Sequence, residues 1–233
     1  MKNTYNCIIS KMEVNFLQFQ KVGNMEKNIW IPATDRIPDN CFDTVLSEDE
    51  SLSKAMNDLK KYSSETYYHS FRVAMYAAYL ANILSIDRLM VVELVKGALV
   101  HDIGKLKVSY DLLNYNGKYN SEQRNKIRQH PLYGIDYFNE NEIKVSSSIH
   151  DIVLQHHEYC DGTGYPYGLC MKDINDFSQI VTICDVFEAY TSKRIYHPHR
   201  SITEGVDYLL YLSCNDKINK NFTKAFIDNI DIE

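Results

Sequence analysis

Apolar residues return at helical spacing along most of the chain beyond residue 46, with polar residues between them. Val73, Ala77, Leu80 and Leu84 form one such stripe, and Ser63-Ser64 ahead of it can cap a helix running to about Leu84. Ser47 followed by Glu50 reads as a capping box opening a helix toward Lys61. The segment from Asp87 to Val100 is apolar on most sides and predicts a buried helix. Ser121 to about Gln129 is a polar helix. Pro131 suits a first helical position and makes His130 its cap or the residue just before it. Helices over 145–157, 177–191, 201–213 and 221–230 complete the set. Short apolar runs such as QIVTIC are compatible with strands, but no alternating hairpin pattern accompanies them, so the fold class is all-α. Residues 1–45 lack sustained periodicity and include the turn-rich IPATDRIPDN. They read as an N-terminal extension or small subdomain of unassigned role, with residues 46–233 as the main domain.

Composition narrows the class. The chain has 233 residues, 45% hydrophobic and 24% charged, enough for one substantial core. No apolar run approaches the ~20 residues that span a bilayer, and the N-terminus has no secretory signal pattern. The expectation is a cytoplasmic protein without membrane insertion. Six cysteines (Cys7, Cys41, Cys160, Cys170, Cys184, Cys214) include no CxxC pair and are expected to be reduced. A net charge of −6 argues against general nucleic-acid binding. It leaves room for a small anion if metals and a few cations reverse the sign locally.

The chemistry-bearing residues are histidines and carboxylates at helical positions facing the core. His69 lies four residues before Val73 on the same stripe, and Glu65 lies one further turn back. For His69 alone, a satisfied buried histidine is the better account. His101 and Asp102 end the very apolar helix, where a carboxylate is costly and opposed by the helix dipole. His156 falls on the stripe of Ile149, Ile152 and Val153, and His157 is displaced from it by about 100°. Asp185 sits inside IVTICDVF with no basic residue in its own turn. His130 is explained equally well as a cap. His150, His197 and His199 show no comparable placement. Together, five histidines and three carboxylates on at least four helices describe a metal centre built inside a bundle. Their number implies two ions and leaves a third open. Mixed imidazole and carboxylate ligation suits iron, manganese, nickel or zinc.

HDIGK (101–105), His130-Pro131 with Gly134, HHEYCDGTGYP (156–166) and CDVFEAYTSKRIY (184–196) resemble, in order and spacing, the HD-GYP subgroup of the HD phosphohydrolase superfamily. The resemblance covers roughly residues 50–230. It implies an HD-domain helical bundle with a metal centre in its core, hydrolysing cyclic di-GMP to pGpG or GMP, or a related cyclic dinucleotide. It implies two divalent ions, with room for a third: iron or manganese foremost, nickel or zinc as alternatives. The ligands carried over are His101, Asp102, His130, His156, His157 and Asp185, with Asp102 as the bridge. His69 matches the family's first histidine, and Glu65 resembles the glutamate of members holding a third metal. Lys105 and Arg194 match expected phosphate contacts. Here the family's TSDRPY segment reads TSKRIY, with Lys193 and Ile195 as departures.

Within the loop, Gly162 and Gly164 permit backbone angles closed to other residues, Tyr165 offers a ring for stacking and a hydroxyl, and Gly164 and Tyr165 are candidate substrate contacts. Asp161 is expected to shape the turn. Glu158 is expected either to orient a ligand histidine or to lie on the surface. The implied catalytic groups are Asp102, through the metals, and Lys105, with water activated by the metals attacking the scissile phosphate. Two other functions compete: a regulatory HD-GYP module with little turnover, and a diiron oxygenase. A homodimer contact or a signalling partner for the N-terminal segment is left open.

Overall fold

The computed structural model describes residues 43–47, 49–192 and 200–230. Among them the architecture is helical throughout, and the one β-type contact is an isolated antiparallel bridge between Asp161 and Cys170. The short helix α1 (Asp43–Ser47) precedes α2 (Glu50–Tyr62), α3 (Ser64–Ile83) and α4 (Arg88–Val100). A 3-10 turn over Ile103–Lys107 follows, then α5 (Tyr110–Leu113), α6 (Ser121–Ile127), α7 (His130–Glu140) and α8 (Ser147–Gln155). After the 156–175 loop, which holds a second 3-10 turn, come α9 (Asp176–Thr191), α10 (Ile202–Cys214) and α11 (Lys220–Ile227). None of the described helices is long and apolar enough to cross a membrane.

Local chemistry sets the boundaries. The Ser63 side chain accepts from the Thr66 amide and starts α3, and Asp87 does the same for α4 through Leu89. The cap of α2 is Asp49, whose carboxylate accepts from the Leu52 amide. Ser47 instead ends α1, and in place of the capping box expected at Ser47–Glu50 a simple cap stands at Asp49, two residues on. The turn from α1 to α2 gives Asp49 the geometry to reach the first free amides. QIVTIC lies within α9. Helix α1 straddles the boundary expected at residue 46, and its Val45 and Leu46 are buried in the common core. Residues 1–42, the bulk of the expected N-terminal extension, lie outside the described residues.

Helices α3, α4, α8 and α9 form the centre of the bundle, α3 packing on α4 and α9, and α4 on α8. Helix α9 is the most enclosed: Ile180, Val181, Ile183 and Cys184 are fully buried, and so are its polar Ser178 and Glu188. The 3-10 turn that carries the HDIGK segment lies against α7. That contact is very close. A Cβ on Gly104 would sit 1.9 Å from the His130 carbonyl oxygen and 2.4 Å from the Gly134 amide nitrogen. Only a residue without a side chain lets the turn after Asp102 touch the start of the helix that carries His130.

Candidate metal centre

Five segments deliver the histidines and acids to one place. His69 comes from the second turn of α3, His101 and Asp102 from the end of α4, His130 from the start of α7, His156 and His157 from the end of α8, and Asp185 from mid-α9. Donor atoms of Asp102, His130, His156 and His157 lie within 4.8 Å of one another, as do those of His69, His101 and Asp185. Asp102 joins the two groups. Its Oδ1 is 3.2 Å from His130 Nε2 and 3.9 Å from His156 Nε2, and its Oδ2 is 3.4 Å from His101 Nε2 and 3.5 Å from His69 Nε2. Each oxygen of one carboxylate therefore faces a different set of imidazoles.

The backbone fixes which ring nitrogens carry lone pairs. His101 Nδ1–H donates to the Ala98 carbonyl at 2.7 Å, and His130 Nδ1–H to that of Ile127 at 2.8 Å. His156 Nδ1–H points at the carbonyls of Val153, 3.0 Å away, and Ile152. Each of these three rings must then present a bare Nε2 to the interior. His130 Nε2 and His156 Nε2 face each other at 3.2 Å. His101 Nε2 and Asp102 Oδ1 are buried and, among the described residues, have no hydrogen-bond partner. Lone pairs converging on lone pairs in a dry core are unstable without a shared cation. Protons do not supply it. Burial foremost, with neighbouring cationic groups, pushes His130 down to about 3 and His156 well below the usual histidine range. Burial likewise takes His157 to about 4, against the pull of Asp185 and Asp102. Burial alone would raise Asp102, but Lys105 and His101 outweigh it and hold the carboxyl far below its ordinary value. Asp185 is held low in the same way, by His69 and His157. Neutral imidazoles and ionised carboxylates around one centre fit divalent metal ions.

His69 is different. Burial opposes its charge, yet Glu188 and Asp185 raise its pKa. Its Nε2 is 3.0 Å from Asp185 Oδ1, while its Nδ1 meets Glu188 Oε2. The other Glu188 oxygen accepts from Arg72 Nε and Ser192 Oγ, each at 2.5 Å. Glu188 is 1% exposed. It clamps the outer nitrogen of His69 and leaves the inner one for a metal, an arrangement known to orient ligand histidines. Sequence reasoning missed it. The available signal was its position three residues after Asp185, on the same face of an otherwise apolar helix.

The remaining expected site residues are sorted by the same geometry. Glu65 is exposed and belongs to neither donor group, which corrects the expectation that it faces the core: it stands in the first turn of α3 with its side chain toward solvent. Lys105 Nζ is 2.5 Å from Asp102 Oδ2, with its side chain 19% exposed. Arg194 lies outside the described residues, with Lys193 and Ile195. Tyr165 stacks on the His157 ring at 4.7 Å, and burial, then Asp185 and Asp102, raise its hydroxyl pKa. Gly164 does not use the positive φ open to glycine. A Cβ there would lie 2.3 Å from the Tyr159 amide nitrogen, so backbone packing demands it. Positive φ occurs instead at Gly162 (79°) and Gly168 (68°). Glu158 is neither on the surface nor bonded to a ligand histidine. It is buried, and its carboxylate accepts the amides of Tyr167, Gly168 and Leu169 at 2.7–3.1 Å. Asp161 does shape the turn, accepting from Thr163 and from Lys217 Nζ at 2.6 Å. Cys160, Cys170, Cys184 and Cys214 are free thiols.

Comparisons with known proteins identify the family. A family model for the HD domain matches residues 46–217. The chain is 32% identical over 174 residues to a cyclic di-GMP phosphodiesterase of Pseudomonas aeruginosa, covering 75% of this chain and 41% of that protein. It is 33% identical over 177 residues to 3'3'-cGAMP-specific phosphodiesterase 1 of Vibrio cholerae, covering 74% of this chain and 41% of that protein. The chain thus spans well under two thirds of the length of these relatives. Among solved structures, an HDG"Y"P protein from Bdellovibrio bacteriovorus superposes with a TM-score of 0.61 at 20% identity, covering 94% of this chain and 68% of that one, a likeness of fold.

Proposed function

The chain belongs to the HD domain family, and from that premise we propose that it is a metal-dependent cyclic dinucleotide phosphodiesterase, with cyclic di-GMP as its first candidate substrate and pGpG or GMP as product. The observation that carries this reading is the convergence of unprotonated imidazole nitrogens on both oxygens of Asp102. His101, His130, His156, His157, Asp185 and His69 would hold two divalent ions with Asp102 between them. When bound, such ions supply a nucleophile at neutral pH and neutralise charge on the phosphate. Iron or manganese are the foremost candidates.

The chain's own residues supply the rest. Lys105 Nζ lies beside Asp102 at the partly open side of the cluster, where it can meet a phosphate oxygen. Tyr165, whose raised pKa keeps the phenol neutral, can donate its O–H to substrate. Arg194 is proposed as a second contact to the scissile phosphate. A route through a covalent enzyme intermediate finds little support. Cys184, next to Asp185, is fully buried, and burial and Asp185 push its thiol well above the ordinary range, leaving it protonated and shielded. Purified protein reconstituted with iron or manganese should linearise cyclic di-GMP or 3'3'-cGAMP, and chelation should stop it. A metal-loaded protein that cleaves neither would refute the proposal.

A further inference from the structure

The donors differ sharply in their access to solvent. Side chains of His69, His101, Asp102, His130 and His156 are 0–4% exposed, against 25% for His157 and 19% for Lys105. The mouth of the centre is therefore at His157 and Lys105. Tyr165 forms the wall there, its ring stacked on that of His157 with planes 27° apart. The guanidinium of Arg128 lies over the Tyr165 ring, 4.9 Å from its centroid. Arg128 caps the C-terminus of α6, two residues before His130. It is exposed, and among the described residues its guanidinium makes no hydrogen bond or ion pair.

A guanidinium placed over an aromatic ring keeps N–H donors free, and they can grip a phosphate in bidentate fashion. Stacking also restricts the side chain before substrate arrives, so less freedom is lost on binding. A cyclic dinucleotide brings two phosphates. The metals and Lys105 serve the one that is cleaved, and the other must also be neutralised in a protein of net charge −6. We propose that Arg128, held on Tyr165, binds the second, uncleaved phosphate of the substrate and so selects diesters that carry two phosphates. The inference rests on the phosphodiesterase reading above.

The test compares metal-loaded wild-type and Arg128→Ala protein on cyclic di-GMP, 3'3'-cGAMP, cyclic di-AMP and the one-phosphate diester bis(p-nitrophenyl) phosphate. Equilibrium binding of a bisphosphorothioate cyclic dinucleotide gives a second readout. Losing one charge-assisted phosphate contact should raise KM and Kd for the cyclic dinucleotides by roughly 10- to 100-fold. The factor should be similar whatever the bases, with kcat, metal content and cleavage of the one-phosphate diester near wild type. Arg128→Lys should recover part of the loss. Unchanged KM and Kd, a loss confined to guanine-containing substrates, or an equal loss on the one-phosphate diester overturns the assignment. Wild-type protein that cleaves the simple diester but neither binds nor cleaves any cyclic dinucleotide overturns the cyclic-dinucleotide reading itself, and the assignment with it.

Discussion

Glu188 offers the sharpest perturbation because one buried carboxylate serves at least three partners, His69 Nδ1, Arg72 Nε and Ser192 Oγ. Glu188→Ala removes the acid and leaves two of them, His69 and Ser192, in the dry interior. The Arg72 side chain is 15% exposed, so water relieves it in part. Breaking a buried pair by deleting one partner costs about 3–5 kcal/mol, and this partial relief places the loss near about 3 kcal/mol. Glu188→Gln keeps the volume and some hydrogen bonds, and should lose about 1–3 kcal/mol. Urea unfolding of the metal-free variants measures both. For metal binding, two effects oppose. Removing the acid lowers the raised pKa of His69, which reduces proton competition and favours the metal. It also frees the ring to rotate and weakens it as a ligand, which typically costs 10- to 100-fold in affinity, that is about 1.4–2.8 kcal/mol. Titration at alkaline pH, where protons no longer compete, isolates the second effect. Both variants should then bind metal roughly 10- to 100-fold more weakly. Wild-type affinity in Glu188→Gln at alkaline pH would refute the clamp.

Other outcomes follow from the same geometry. In metal-free protein, His130, His156 and His157 have depressed pKa values, so the unfolded chain takes up protons that the folded chain refuses. Stability should be full above about pH 6.5, the free-histidine value, and fall as pH drops toward 4 and then 3, opposed only in part by the raised His69. Urea midpoints measured from pH 8 to pH 4 check the direction, and a midpoint that rises on acidification would contradict it. Gly104→Ala should destabilise by about 3 kcal/mol, because its Cβ meets backbone atoms of α7. It should weaken metal binding as well, by moving Asp102 relative to His130, and a variant with wild-type melting temperature and metal content would show that the contact yields. Asp161→Asn breaks a partly exposed tie to Lys217 and should cost no more than about 1 kcal/mol by thermal melting.

How far these features were legible in the sequence depended on their range. Ser63 as a cap and Pro131 at the start of α7 act over a few residues, and both can be read locally. Buried stripes placed His69 and His156 on the correct side, because helix periodicity fixes direction as well as class. Glu65 shows the limit of that argument. Periodicity gives an azimuth around the helix but not how deeply each turn is covered, and Glu65, one turn before the buried His69, is exposed. Glu158 and Glu188 were undervalued for another reason. Glutamates near helix ends usually face water, and only the three loop amides above Glu158 and the His69–Arg72 pair beside Glu188 make burial favourable. Those partners are distant in sequence or belong to a loop whose path no spacing dictates. Arg128 is a third case, since its ring partner lies 37 positions downstream.

The central claim is that Asp102 joins two groups of donors around divalent ions that drive hydrolysis. Elemental analysis of wild-type and Asp102→Ala protein, purified anaerobically without chelator and assayed in parallel on cyclic di-GMP, tests it most directly. The account predicts about two divalent ions per wild-type chain, with metal and turnover both lost in the variant. An Asp102→Ala protein that keeps its full metal content and its full rate would contradict it.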